Sequence, residues 1–236
     1  MCQIPKSVSI PLSSKSLLKE VAAVFFIQLI LVAGLVQLDN VFSLGGNLYS
    51  LVAVIFVLLP VIVLDRRGKP YERYGITWGK PWHRPFMDIV WVLVAVAIAF
   101  PPIVLGAPTV WGLDSPDWNF IRPGGYPGAA LSHLVVVALP EEFFYRGYIM
   151  GRLDDILPAR VKLLGARVGW SLPIQAVLFA LGHYLVDFNP TRLSVFFPAL
   201  AFGWLREKRG TIVAPILFHA ASNIFMEIFR AGYGLA

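Results

Sequence analysis

Residues 129–150 read AALSHLVVVALPEEFFYRGYIM, an apolar run whose second half carries Glu141, Glu142 and Arg146. The run is long enough to cross a bilayer, because a transmembrane helix needs about 20 mainly apolar residues. Charged side chains are costly inside a bilayer, and where they occur they usually have a function. This segment therefore predicts a membrane helix that contains a polar functional site.

The composition of the whole chain also indicates an integral membrane protein. Of its 236 residues, 57% are hydrophobic and only 14% are charged, whereas about a quarter of the residues in soluble domains are charged. Such a composition disfavours a soluble enzyme, a disordered protein and, despite the net charge of +6, a nucleic-acid-binding domain. The single cysteine, Cys2, excludes an internal disulfide and a cysteine-based zinc site.

Further apolar runs on both sides of this segment predict an all-α, polytopic membrane bundle of about seven transmembrane helices. The candidate spans are residues 21–38, 48–64, 87–105, 129–150, 168–186, 193–205 and 212–229. No small-residue cleavage site follows the first span, so we expect it to be retained rather than removed as a signal peptide. The chain is thus expected to have an N-terminal tail at 1–20 and one transmembrane domain at 21–236, with an interfacial loop at 106–128.

The basic residues predict the orientation of these spans, because lysine and arginine concentrate in cytoplasmic loops. With seven spans, sixteen lysine and arginine residues fall on the side of the N-terminus. Three arginines fall on the other side, namely Arg122, Arg192 and Arg230. The tail at 1–20 is therefore expected in the cytoplasm. A compact chain without organelle signals further favours the inner membrane of a bacterium.

The spacing of the charged residues in the fourth span predicts different roles for its two glutamates. Glu142 and Arg146 are four residues apart, so they share a helix face and can form an ion pair. Glu141 lies about 100° round the helix from Glu142, which leaves its carboxylate free for chemistry. Pro140 has no backbone N–H to donate, and we expect it to kink or loosen the helix beside Glu141.

Polar groups also occur in two later spans. The fifth span has His183, and the seventh has His219 and Asn223, which are four residues apart and share a face. At a rise of about 1.5 Å per residue, Glu141, His183 and His219 lie about 16, 22 and 12 Å from the cytoplasmic ends of their helices. Three helices are thus expected to bring polar side chains to a similar depth, as one catalytic centre requires.

Other polar or aromatic residues of the spans are interpreted as structural. His133 and Gln175 are expected to be satisfied interior groups, Glu227 to face water, and Phe179 to belong to the core. The first span contains Gln28 and Gln37, to which the sequence assigns no role.

Three short motifs follow one another in the second half of the chain. Residues 141–146 fit EExxxR, residues 179–183 fit FxxxH, and residues 219–223 fit HxxxN. Together, in this order and on separate spans, they resemble the CAAX protease and bacteriocin-processing (CPBP) family of glutamate-dependent intramembrane endopeptidases. The resemblance covers about residues 128–230, which would then be the catalytic core.

The resemblance implies a role for each motif residue and a substrate class. Glu141 would activate a water molecule with the help of His183, while His219 and Asn223 would stabilise the oxyanion of the tetrahedral intermediate. Glu142 and Arg146 would form a structural ion pair that supports the site. The expected partners are a lipid bilayer and a membrane-associated peptide or protein C-terminus, without nucleic acid; no particular oligomeric state is predicted.

Three alternatives remain open at the level of the sequence. No cofactor is expected, but two histidines and a glutamate are also a usual ligand set for zinc, which is the second choice although an HExxH motif is absent. A proton-coupled transporter also uses membrane-embedded Glu, His and Arg, but it should show inverted repeats, and none is found. The third alternative is a non-catalytic membrane scaffold or immunity protein with the same fold.

Overall fold

Seven helices, α1 to α7, make up most of the computed structural model, which describes residues 13–43, 46–77, 83–117, 126–159 and 161–235. All seven predicted spans coincide with helices, which confirms the all-α membrane bundle. The helices are α1 (Ser14–Phe42), α2 (Gly46–Arg66), α3 (His83–Trp111), α4 (126–154), α5 (Ser171–Asp187), α6 (Phe196–Arg209) and α7 (Val213–Gly232).

Three of the described helices are long and apolar enough to cross a membrane by length and composition. The segments concerned are Ser14–Asp39, Asn47–Arg66 and Pro85–Trp111. Large apolar side chains on their outer faces are exposed, for example Phe26 and Ile98, as expected for surfaces that face lipid. These helices make the chain an integral membrane protein.

Helix α4 departs from regular α-helical hydrogen bonding on both sides of Pro140. The segments His133–Ala138 and Phe143–Met150 form wider turns of the π type, and the short α-helical segment Leu139–Glu142 lies between them. Proline has no N–H for the carbonyl four residues earlier, so the regular pattern cannot run through this point. Wide turns of this kind are frequent at functional sites.

The ends of several spans differ from the predicted ends. Helix α1 begins at Ser14, where the side chain of Ser13 accepts a hydrogen bond from the Ser16 N–H at 3.2 Å, so the predicted tail is helical from Ser14 onward. Helix α3 continues to Trp111 and includes the first part of the predicted loop at 106–128. Residues 1–12, with Cys2, and residues 118–125 of that loop lie outside the described residues.

A β-hairpin that the sequence pattern does not predict precedes α5. Strand β1 (Val161–Leu163) pairs antiparallel with strand β2 (Ala166–Val168), and Leu164 and Gly165 form the turn with φ angles of 48° and 82°. The prediction that the fifth span starts at residue 168 is therefore wrong, since α5 begins at Ser171. Val168, the last residue of β2, is apolar, so the sequence pattern assigns it to the span.

Helices α5, α6 and α7 pack around α4. Every residue from Phe144 to Met150 is buried, and this part of α4 contacts α5 and α6, while α7 packs beside its N-terminal half. Helices α1 and α2 pack against each other and against α4, and α1 also contacts α5. The side chains that α4 directs toward these neighbours therefore lie in the interior of the protein.

Candidate active site

Glu141 lies between two histidines that come from different helices. Its Oε2 atom is 3.9 Å from Nε2 of His183 on α5 and 3.9 Å from Nε2 of His219 on α7. The Glu141 side chain is 16% exposed, and among the described residues Oε2 has no hydrogen-bond donor. Three residues that the sequence separates widely thus meet around one free carboxylate oxygen.

The ring of His183 is oriented by its own helix. Its Nδ1 lies 2.9 Å from the backbone carbonyl oxygen of Phe179, one turn earlier. A carbonyl oxygen only accepts hydrogen bonds, so Nδ1 carries the proton in this contact. In the neutral ring, Nε2 is therefore the acceptor, and this is the atom that faces Glu141.

Glu142 has two buried partners, of which the sequence predicts only one. Its Oε1 atom accepts a hydrogen bond from Nη1 of Arg146 at 2.9 Å, and both side chains are fully buried. The same oxygen lies 2.8 Å from Nδ1 of His219. The contact with Arg146 follows from the spacing of four residues, whereas no sequence signal points to the contact with His219.

Aromatic rings surround the buried guanidinium of Arg146. The Phe179 ring centroid lies 4.4 Å from its central carbon and that of Phe202 lies 5.0 Å away, distances typical of cation–π contacts. The Nη2 atom also donates to the backbone carbonyl of Ala199 at 3.3 Å. Phe179 is thus a core residue, as expected, and it also contacts the His183 ring at a centroid distance of 4.4 Å.

One cavity is lined by Glu141, His183 and His219 together with Asn223. This cavity has a volume of about 350 Å³ and is lined by residues of α1, α2, α4, α5 and α7. Most of the side chains that α1 and α2 contribute are apolar. The full set from these two helices is Phe25, Gln28, Leu29, Val32, Val36, Leu48, Tyr49, Val52 and Phe56. A largely apolar cavity with a few polar groups at one place is the usual form of a ligand-binding site.

Comparison with known families identifies the part of the chain that contains this site. The family model described as type II CAAX prenyl endopeptidase Rce1-like matches residues 123–225. Residues 123–225 form an Rce1-like domain. The match confirms the resemblance to CAAX proteases and includes all three motifs. A search of curated proteins and a search of solved structures found no match.

The family of the Rce1-like domain gives the function in coarse terms. The matching model is described as that of a prenyl endopeptidase, so the match supports a membrane peptidase. Residues 1–122, which include α1 and α2, lie outside the match, although residues of α1 and α2 line the cavity. The cavity lining therefore combines residues of the Rce1-like domain with residues of two helices that precede it.

Two other polar residues predicted as interior groups lie elsewhere in the Rce1-like domain. Nε2 of His133 is 2.7 Å from Oε2 of Glu227, whose side chain is 49% exposed. Gln175 is fully buried and donates from Nε2 to the backbone carbonyls of Leu172 and Ala199. Of these side chains, none is among the described residues that line the cavity.

The side chains that the sequence offers as zinc ligands are Glu141, His183 and His219. Both nitrogen–oxygen separations in this set are 3.9 Å. Nδ1 of each histidine already has a partner, so a metal would have to use the Nε2 atoms. Among the described residues, no group of three or more His, Cys, Asp or Glu side chains is arranged to hold a metal ion.

Proposed function

We propose that this protein is an intramembrane endopeptidase that hydrolyses a peptide bond of a membrane-associated peptide or protein C-terminus with a glutamate-activated water. The observation that carries the proposal is the position of Glu141 between the Nε2 atoms of two histidines, with both separations at 3.9 Å. We place the protein in the inner membrane of a bacterium with its N-terminus in the cytoplasm. The distribution of basic residues between the two sides of the spans supports this orientation.

Glu141 and His183 would activate the water. A separation of 3.9 Å between two acceptor atoms suits a water molecule that donates one hydrogen bond to each. As the water oxygen attacks the scissile carbonyl carbon, one of its protons passes to the Glu141 carboxylate. The Glu141 carboxyl group then gives this proton to the leaving nitrogen as the carbon–nitrogen bond breaks, so the site returns to its starting state.

His219 and Asn223 would stabilise the negative charge that develops on the carbonyl oxygen. Both line the cavity beside Glu141, and a carboxamide N–H and an imidazole N–H are suitable donors to an oxyanion. The position of Glu142 constrains the protonation of His219. Because a carboxylate only accepts hydrogen bonds, Nδ1 of His219 holds a proton, and Nε2 can donate to the oxyanion only when the ring carries a second one.

The cavity favours an apolar substrate segment. Its walls from α1 and α2 are largely aliphatic and aromatic, and burying such surface is favourable at about 25 cal/mol per Å². Among the described residues that line the cavity, Arg192 is the only lysine or arginine. A guanidinium suits the terminal carboxylate of a peptide, which supports cleavage close to a C-terminus.

The test of the proposed function is the substitution Glu141→Gln. It keeps the size of the side chain and removes the base, so we expect peptide hydrolysis to fall by about 10²–10⁴-fold with an unchanged melting temperature. Hydrolysis is measured by mass spectrometry of N-terminal and C-terminal peptides from membranes that contain either form. Glu227→Gln is the matched control, because Glu227 lies on α7 with its side chain half exposed. Wild-type turnover by Glu141→Gln protein would contradict the proposal.

We propose that the reaction needs no metal. Glu141 and His183 suffice to accept the proton, and Arg146 beside the second carboxylate is an unusual neighbour for a bound cation. Exhaustive chelation should therefore leave the rate unchanged, and elemental analysis of the active protein should find no stoichiometric metal. Loss of activity on chelation that zinc restores would favour the zinc alternative.

A further inference from the structure

Gln28 is a buried polar residue of α1 that the proposed mechanism does not use. Its residue surface is 2% exposed, and neither Nε2 nor Oε1 has a hydrogen-bond partner among the described residues. A buried carboxamide without partners is unfavourable, because it has lost its hydrogen bonds to water without replacing them. Most such groups in folded proteins are paired, so the unpaired state of Gln28 calls for a partner that binds later.

Gln28 lies on the face of α1 that lines the cavity. Residues 25, 28, 29, 32 and 36 all line it, and their spacing of three or four residues places them on one side of the helix. Glu141, His183 and Asn223 line the same cavity from α4, α5 and α7. A molecule that fills the cavity therefore contacts both the proposed catalytic groups and Gln28.

We infer that Gln28 binds a peptide group of the substrate next to the bond that is cleaved, an inference that rests on the proposed function. A carboxamide offers one N–H donor side and one carbonyl acceptor, which are complementary to the C=O and N–H of a peptide unit. His219 and Asn223 serve only the scissile carbonyl. The aliphatic neighbours of Gln28 on α1 have no polar side-chain group for the adjoining peptide units.

The chemistry of Gln28 distinguishes a peptide from a hydrocarbon chain in this part of the cavity. An acyl or isoprenoid chain would cover the apolar wall but would leave both polar atoms of Gln28 without partners. A peptide backbone satisfies both and is itself satisfied, since its own polar groups would otherwise be buried unpaired. Gln28 would therefore select an extended peptide segment and position it, rather than take part in the proton transfers.

The experiment compares Gln28→Met with Gln37→Met in the purified full-length protein. Methionine has a similar size and no strong hydrogen-bonding group, and Gln37 is an exposed glutamine of the same helix that is not among the described residues lining the cavity. The probe is an internally quenched peptide that ends in farnesyl-cysteine, two aliphatic residues and methionine. We expect Gln28→Met to raise KM about tenfold with little change in kcat, as for uniform binding of substrate and transition state. Its melting temperature should be equal to or above that of the wild type.

A second measurement separates this inference from the proposed function. Binding of a fluorescein-labelled form of the same peptide is followed by anisotropy in proteins that also carry Glu141→Gln, and Gln28→Met or Gln28→Leu should weaken it about tenfold. Gln28 dependence of binding without any Glu141-dependent cleavage would contradict the proposed function alone. Equal KM and equal affinity in Gln28→Met and Gln37→Met protein would overturn the inference alone. Failure of the peptide to bind even when Gln28 is intact would also overturn it.

Discussion

At the scale of single residues, two adjacent glutamates have different surroundings. The Oε1 atom of Glu142 is held between Arg146 and His219, and its side chain is fully buried. Oε2 of Glu141 has no hydrogen-bond partner among the described residues. The Glu142 carboxylate is therefore suited to orient its neighbours, whereas the Glu141 carboxylate remains available for a proton.

Arg146→Met should destabilise the protein, because it leaves the Glu142 carboxylate buried without its cation. Removing one partner of a buried ion pair costs about 3–5 kcal/mol, and both partners here are fully buried. Thermal unfolding of the purified protein measures the change. The double variant Glu142→Gln/Arg146→Met should regain part of the loss, because it buries no unpaired charge. A melting temperature of the single variant equal to that of the wild type would contradict this account.

At the scale of elements, α5 and α6 approach each other closely at Gly203. A Cβ atom added to Gly203 would lie 2.5 Å from Cδ1 of Leu172 and 2.7 Å from Nε2 of Gln175. Gln175 donates to the carbonyl of Ala199, which also accepts from Arg146. The small residue on α6 thus permits a contact that extends to the buried guanidinium, a common use of glycine in membrane helix packing.

Gly203→Ala should therefore destabilise the protein by about 1–3 kcal/mol, the usual cost of an extra methyl group in a packed interior. Gly34→Ala on α1 is the matched control, because an added Cβ there meets no atom within 4 Å. This control should be neutral or stabilising, since alanine is the better helix former by about 1 kcal/mol. Unfolding temperatures of both variants measure the difference, and equal effects would show that the α5–α6 contact tolerates the methyl group.

At the scale of the whole molecule, Glu20 connects α1 to the end of α4 and to the segment after α2. Its Oε1 accepts from Nη2 of Arg152 at 2.6 Å, and its Oε2 accepts from Nε of Arg67 at 2.8 Å. Arg152 also donates to Asp155 at 3.0 Å and lies beside Tyr74. Burial raises the pKa of Tyr74, so its hydroxyl stays protonated and donates to Asp155.

Glu20→Gln should loosen the attachment of α1 to the Rce1-like domain, because Arg152 and Glu20 are both largely buried. We expect the melting temperature to fall by roughly 5–10 °C. Glu72→Gln, a substitution of an exposed glutamate, should leave it unchanged. Differential scanning fluorimetry of the detergent-solubilised protein measures both. A Glu20→Gln variant as stable as Glu72→Gln would show that packing alone holds α1 in place.

Much of the fold follows from local properties of the sequence. Apolar runs predict the seven helices, and the missing N–H of Pro140 predicts the irregular turns of α4. The hairpin at 161–168 escaped prediction because strands of three residues are too short to show an alternating pattern. The catalytic roles of Glu141, His183, His219 and Asn223 stay predictions that rest on their motifs and on the proposed function.

The sequence by itself determined the order of the helices, the spacing of Glu142 and Arg146 on one face, and the similar depth of the polar residues. These features depend on hydrophobicity and on the helical period, which act over a few residues. Only the tertiary structure decided that His219 contacts Glu142, which lies 77 residues earlier, and that Gln28 lines the cavity that contains Glu141. Such contacts depend on how whole helices pack and rotate against one another, and no local pattern in the chain specifies that.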